Sequence, residues 1–424
     1  MMTTTSTPTA RVQEPHLRPQ AGYPLAIWVL LIGNSLVRAV GFAYPFLAFL
    51  TYDSLGAGQG AAAVGAVLTA FGGGWVVGQL VCGWLTDRIG GRATLASTML
   101  VASVVLWFLA EARSLPSMLV AAAVAGAVYD AQRVVIGAAI ADLISDPARR
   151  AKVDGWRYGL VNIGIAFSGA IGGVLADRVG VAVLYYINAV ACALYALVAA
   201  CSLPGRVRRD DAPENVSYRQ AFSDRRLVLL FASSLATLTA FVGFYAAMPM
   251  LIGACGLGAS AFGTVQLANA IAVVSLTPVI MPWVGKRIAN GPRLDILAAA
   301  ALGTTISMGS AALAHTTAGF CAAGVALAPG EVAWFVVAAG IVHRIAPPAY
   351  RGRYHGIWSV AMALAAVISP ILASTSLLVG GQSLAAVTTT VVGLTGVLLC
   401  VPLARALNCS DQLSMVGTLA TEPA

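Results

Sequence analysis

Apolar residues in this chain are gathered into twelve long runs, with polar and charged residues left to the short stretches between them. The runs fall at about 25–51, 61–84, 93–110, 117–143, 155–176, 181–203, 227–252, 260–283, 294–314, 317–342, 354–379 and 384–407. A bilayer core is about 30 Å thick, and a helix needs about 20 apolar residues to cross it. Lipid offers no partner to an open backbone group, which leaves helices or a closed barrel. Barrel strands are short and alternate in polarity, and these runs do neither. The pattern predicts an all-α membrane protein with twelve transmembrane helices.

Composition agrees, with 59% hydrophobic and 10% charged residues. The net charge of +8 is a topological signal, not a nucleic-acid footprint. With the N-terminus placed inside, 20 of the 25 Lys and Arg residues fall in inner segments and two, Arg113 and Arg178, in outer loops. Positively charged loops stay on the cytoplasmic side, so both termini are expected there, in the cell membrane. Six of the seven cysteines lie in or beside apolar runs without metal-ligand spacing, as small packing residues.

The chain also repeats itself. Residues 150–155 read RAKVDG and residues 351–356 read RGRYHG; Pro45 answers Pro249, and Ser168-Gly169 answers Ser369-Pro370, all at an offset near 200. The expected organisation is an N-terminal tail (1–24), a six-helix bundle (25–203), a central loop (204–226), a second six-helix bundle (227–407) and a C-terminal tail (408–424). Parallel repeats about an axis along the membrane normal are a transporter architecture, able to rock about a site at their interface.

After span 2 the chain reads GWLTDRIGGR, from Gly83 to Arg92. This resembles the signature of the major facilitator superfamily, Gly-x-x-x-Asp-Arg-x-Gly-x-Arg, in the expected loop. The resemblance implies the superfamily's fold of two pseudo-symmetric six-helix bundles. It also implies an inner-gate role for Gly83, Asp87, Arg88, Gly90 and Arg92. Gly83 would let two helices approach closely, Gly90 would make a tight turn, and Asp87 would face a helix N-terminus in the other half. Arg133-Val-Val-Ile-Gly137 resembles the family's Arg-x-x-Gln-Gly pattern in span 4, and Asp142 the inner end of that helix in drug-exporting members. Residues 162–173, NIGIAFSGAIGG, resemble the antiporter signature of span 5, with Ser168-Gly169 in place of Gly-Pro. Asn162, Gly164, Gly169 and Gly173 read equally as packing notches or mechanistic positions. Among family branches, the twelve-helix drug:proton antiporters are the most similar.

Four charges lie deep in the runs: Arg38, Asp130, Arg133 and Glu331. Each costs about 2.5–3.5 kcal/mol or more to insert, so each is expected at a bundle interior or a wet cavity. They occupy spans 1, 4 and 10, which line the central cavity in the resembled family. Asp130 and Arg133 share a helix face, as a self-neutralising pair or as cavity groups. Glu331 has no basic residue on its own helix face; it is a candidate proton carrier, or a partner for an arginine across the cavity. Tyr44, Tyr245 and Trp334 are candidate aromatic walls, or simply packing. Pro45, Pro249 and Pro370 are candidate hinges, since proline removes a helix hydrogen bond.

These features point to a secondary transporter, with proton-coupled efflux of small organic molecules as the leading reading and a metabolite importer as the alternative. The expected partners are a small-molecule substrate, protons and the bilayer; nucleic acid is not among them, no cofactor or metal is expected, and a monomer suffices. No phosphate-binding loop is present, and no histidine lies in the middle of a span, which disfavours a membrane-embedded enzyme. The topology is testable by single cysteines in each tail of a cysteine-free chain. Both are expected to react with a membrane-impermeant maleimide only after cells are opened, and reaction of one tail in intact cells would contradict it.

Overall fold

The computed structural model describes residues 23–56, 60–144, 147–205, 222–288, 291–346 and 351–419. The expected N-terminal tail and most of the central loop lie outside the described residues. Among those described, nine helices are long and apolar enough to cross a membrane, and no strand occurs. Spans 1 and 4 fall outside those nine because they are segmented, and two of the nine are themselves interrupted. Span 1 is Leu25–Ala39 followed by Leu47–Leu55, and span 4 is Leu115–Tyr129 followed by Ala131–Leu143. Span 7 is Arg225–Val242 followed by Ala247–Ala254. Spans 11 and 12 share one long element, Arg351–Leu419, parted by non-helical dihedrals at Gly380 and Gly381. That element is helical through 408–419, where a tail is expected; no proline or glycine interrupts 408–416.

The breaks in spans 1 and 7 come at glycines, not at the prolines. A Cβ on Gly41 would meet the Arg38 carbonyl at 2.8 Å, and one on Gly243 the Ala240 carbonyl at 2.8 Å. Pro45 lies at the end of the first break. Pro249 lies beyond the second, in the first turn of Ala247–Ala254, where a missing N–H costs little. Pro370 sits inside helical backbone, buried. Carbonyls freed near the first break are met by tyrosines. Tyr185 donates to Ala43 O (3.1 Å) and Tyr129 to Val37 O (3.4 Å). Lipid would leave these carbonyls unsatisfied.

Large apolar side chains cover the outside, Leu80, Val279 and Leu398 among them, each about two-thirds exposed. Small residues fill the helix contacts. Spans 2 and 4 meet backbone to backbone: a Cβ at Gly74 or Gly78 would overlap the carbonyl of Ala123 or Ala127, and one at Gly126 that of Phe71. The two halves meet through Gly65 and Gly72 of span 2 on span 11, and through Gly169 and Gly173 of span 5 on span 8. Phe46 and Phe49 pack on Phe262 at 5.7 and 6.0 Å between ring centres. These contacts between halves lie from mid-membrane toward the face away from the arginine-rich loops. Toward the basic face, Gly83, Gly159, Gly285 and Gly356 look into open space. Among the described residues, the backbone contacts between the halves thus gather at one end.

Adjacent glycines test the packing. Gly74→Ala is expected to lower stability by about 1–3 kcal/mol through overpacking. Gly73→Ala, with nothing within 4 Å of its new methyl, should leave stability unchanged or raise it by up to about 1 kcal/mol. Thermal melts in one detergent decide it, and equal losses from both would contradict the packing.

Candidate functional site: a charged cavity between the two halves

The charged groups meet where helices break. Arg38 occupies the last turn of Leu25–Ala39, Asp130 the junction in span 4, and Arg133 the first turn of Ala131–Leu143. Arg38 Nη2 contacts Asp130 Oδ1, and Arg133 Nε donates to Asp130 Oδ2 at 3.0 Å. Each carboxylate oxygen thus serves one guanidinium. The Asp130 side chain is 7% exposed and that of Arg38 20%, whereas that of Arg133 is 54% exposed. One carboxylate faces two cations, so the cluster carries surplus positive charge, and Arg133 is the member with room for another partner.

Glu331 lies on the other half. Its polar neighbour is Asn269 of span 8, whose amide donates to Gly324 O at 2.9 Å. Among the described residues no cation pairs with Glu331: the arginine expected opposite it, Arg38, is taken by Asp130.

A cavity of about 170 Å³ lies between the halves, lined by Trp75, Gln79, Arg133, Phe335, Trp358 and Ser359 among others. The aromatic wall therefore differs from the expected one. Tyr44 packs on Phe71, Tyr245 on Phe241 and Phe244, and buried Trp334 backs the wall by stacking on Trp358. Spans 2 and 11 supply Trp75 and Trp358, while Phe335 stands one turn from Glu331 on the same helix face. Trp358 donates to Ser234 Oγ at 2.9 Å. The Trp75 indole N–H is buried, with no hydrogen-bond partner among the described residues. In sequence, Trp75 offered a weak signal, as a lone large residue after three glycines, Gly72 to Gly74.

The gate motif sits beyond the cavity on the basic face. Gly90 has φ +86°, a turn that a side chain would strain, and Arg88 lies over the Trp84 ring at 5.0 Å. Arg92 is exposed. The side chains of Asp87 and Asp142 are outside the described residues. Gly83 makes no close helix contact among the described residues, contrary to expectation. In span 5, Asn162 is buried, Gly164 rests on Ser35, Arg38 and Ala39 of span 1, and Gly169 and Gly173 rest on span 8.

Helical crossings in two bundles, closed at one face around a shared charged cavity, define a secondary-transporter architecture. A family model for the Major Facilitator Superfamily matches residues 26–294, and the chain belongs to that superfamily. It is a multi-pass membrane transporter and not an enzyme. Solved structures share the fold at 14% identity. A POT family transporter in complex with a thioalcohol-conjugated peptide gives a TM-score of 0.73 over 91% of this chain and 96% of that one. One in complex with 5-aminolevulinic acid gives 0.72 over 92% and 97%. A peptide transporter POT in complex with alafosfalin gives 0.71 over 92% and 97%. At this identity the likeness shows the fold alone.

The cluster makes unequal demands on its members. Asp130→Asn strands two cations and is expected to cost about 3–5 kcal/mol. Arg133→Gln, at a half-exposed position, should cost under about 1 kcal/mol. Thermal unfolding of the two variants checks this, and a mild Asp130→Asn would contradict the pairing.

Proposed function

We propose that this protein takes up a small organic anion or zwitterion by alternating access, in symport with a proton carried by Glu331. The observation that carries the reading is the separation of the charged groups between the two halves. Asp130 is satisfied by two arginines, and half-exposed Arg133 lines the cavity with donors left to receive an acceptor-rich ligand. Glu331 stands apart on the other half, so a substrate carboxylate on Arg133 leaves a proton on Glu331 in place. Joint occupancy favours symport; an antiporter makes proton and cargo compete for one carboxylate. The ligands named with the solved neighbours, a peptide and 5-aminolevulinic acid among them, support metabolite cargo. The setting is the cell membrane, with the basic face and both termini cytoplasmic and a monomer as the working unit.

Drug export in exchange for protons is the second reading, favoured by the aromatic wall of Trp75, Phe335 and Trp358, which suits flat apolar molecules.

Proteoliposomes separate the two readings. A panel of small carboxylates and amino acids is offered with the outside acidic, and one of them is expected to accumulate several-fold. Glu331→Gln should abolish accumulation down the proton gradient yet retain exchange of labelled for unlabelled substrate. Accumulation of an apolar drug against an opposite gradient, or Glu331→Gln with undiminished proton dependence, would overturn the proposal.

A further inference from the structure

The gate signature occurs twice in the first half. Residues 83–90 read GWLTDRIG and residues 173–180 read GVLADRVG; Gly, Leu, Asp, Arg and Gly recur at an offset of 90, with Ile answered by Val. The first copy ends span 2 on the basic face, and the second ends span 5 on the opposite face. Both close on a glycine of the same backbone geometry: Gly90 at φ 86°, ψ 157° and Gly180 at φ 92°, ψ 151°. Six-helix halves built from inverted three-helix repeats place such copies on opposite sides of the membrane.

The second copy is engaged in this structure. Asp177 Oδ2 accepts a hydrogen bond from the Ser260 backbone N–H at 3.2 Å. That N–H lies in the first turn of helix Ala259–Ile288, which belongs to the other half and carries 30 residues of aligned peptide dipoles. Gly258 makes room for the carboxylate, since both its oxygens lie 3.2 Å from where a Cβ would sit. One turn below, Gly173 presses on the Ser260 and Gly263 Cα positions. In the first copy the position matching Gly173, Gly83, has nothing within 4 Å of where a Cβ would sit.

We infer that Asp177 is a latch for the face opposite the basic loops: its carboxylate clasps the N-terminus of span 8 while that face is shut and releases when it opens. The two copies then act in turn, and the Asp177 copy is the one closed here. Asp177 touches no cargo; it is a positioning residue that sets the balance between the two states. The inference rests on alternating access but on no particular substrate.

The test reads the state directly. Spin labels at Arg113→Cys and His315→Cys, exposed positions on the two halves at this face, report its opening by pulsed dipolar spectroscopy in lipid nanodiscs without substrate. The full chain is used with its native cysteines replaced. Asp177→Asn is expected to enlarge the long-distance population about fivefold, in keeping with a charge at a helix N-terminus. Asp87→Asn should shift it the other way. Should Asp177→Asn fail to elute as a single species, Asp177→Ser gives the same readout. An unchanged distribution, or a shift in the same sense as Asp87→Asn, overturns the latch. Because no cargo is present, an error in the assigned substrate leaves the result unaffected.

Discussion

A polar group in hydrocarbon must find a partner within the protein, and that constraint shapes every part of this molecule. Arg38, Asp130 and Arg133 come together because none is affordable alone. They meet at the Asp130 junction, where span 4 is interrupted, beside the break in span 1. Carbonyls released near that break turn to Tyr129 and Tyr185. Interrupted helices, a satisfied backbone and a charged chamber are thus one solution to one problem. The chamber between the halves is lined by a surplus cation, Arg133, and by aromatic faces, with the Glu331 carboxyl group one helical turn from Phe335 on the other half.

Glycine, more than proline, shapes the contact between the halves. Contacts such as Gly72 on Ala366 and Gly173 on Ser260 bring backbones together without interlocking side chains. Small surfaces of this kind pack closely and part with little loss of buried apolar area. Closure at one face, sealed by Phe46, Phe49 and Phe262, is matched by separation at the other, where Gly83 and Gly285 have no neighbour.

Much of the fold was legible in the sequence, because apolar runs and arginine placement are properties of consecutive residues. The charged positions were legible too, since Arg38, Asp130, Arg133 and Glu331 stand out against an apolar background. Their pairing was not. Nothing along the chain says that Arg38 meets Asp130 in preference to Glu331, because that choice depends on how spans 1 and 4 cross. The aromatic wall was hidden for the same reason: Trp75 and Trp358 lie 283 positions apart, on spans that periodicity does not bring together. Gly41 and Gly243 were overshadowed by Pro45 and Pro249, since composition marks where a helix can break but the packing of its neighbours decides where it does.

The central claim is that water reaches a polar chamber between the halves from the basic face. Cysteine accessibility measures it most directly. Ser359→Cys and Gln79→Cys, in an otherwise cysteine-free chain, are to be treated with a small charged methanethiosulfonate applied to the basic face, beside Leu80→Cys and Val279→Cys on the lipid surface. The account predicts rapid modification of the first pair and slow modification of the second. Equal protection of all four positions would contradict it.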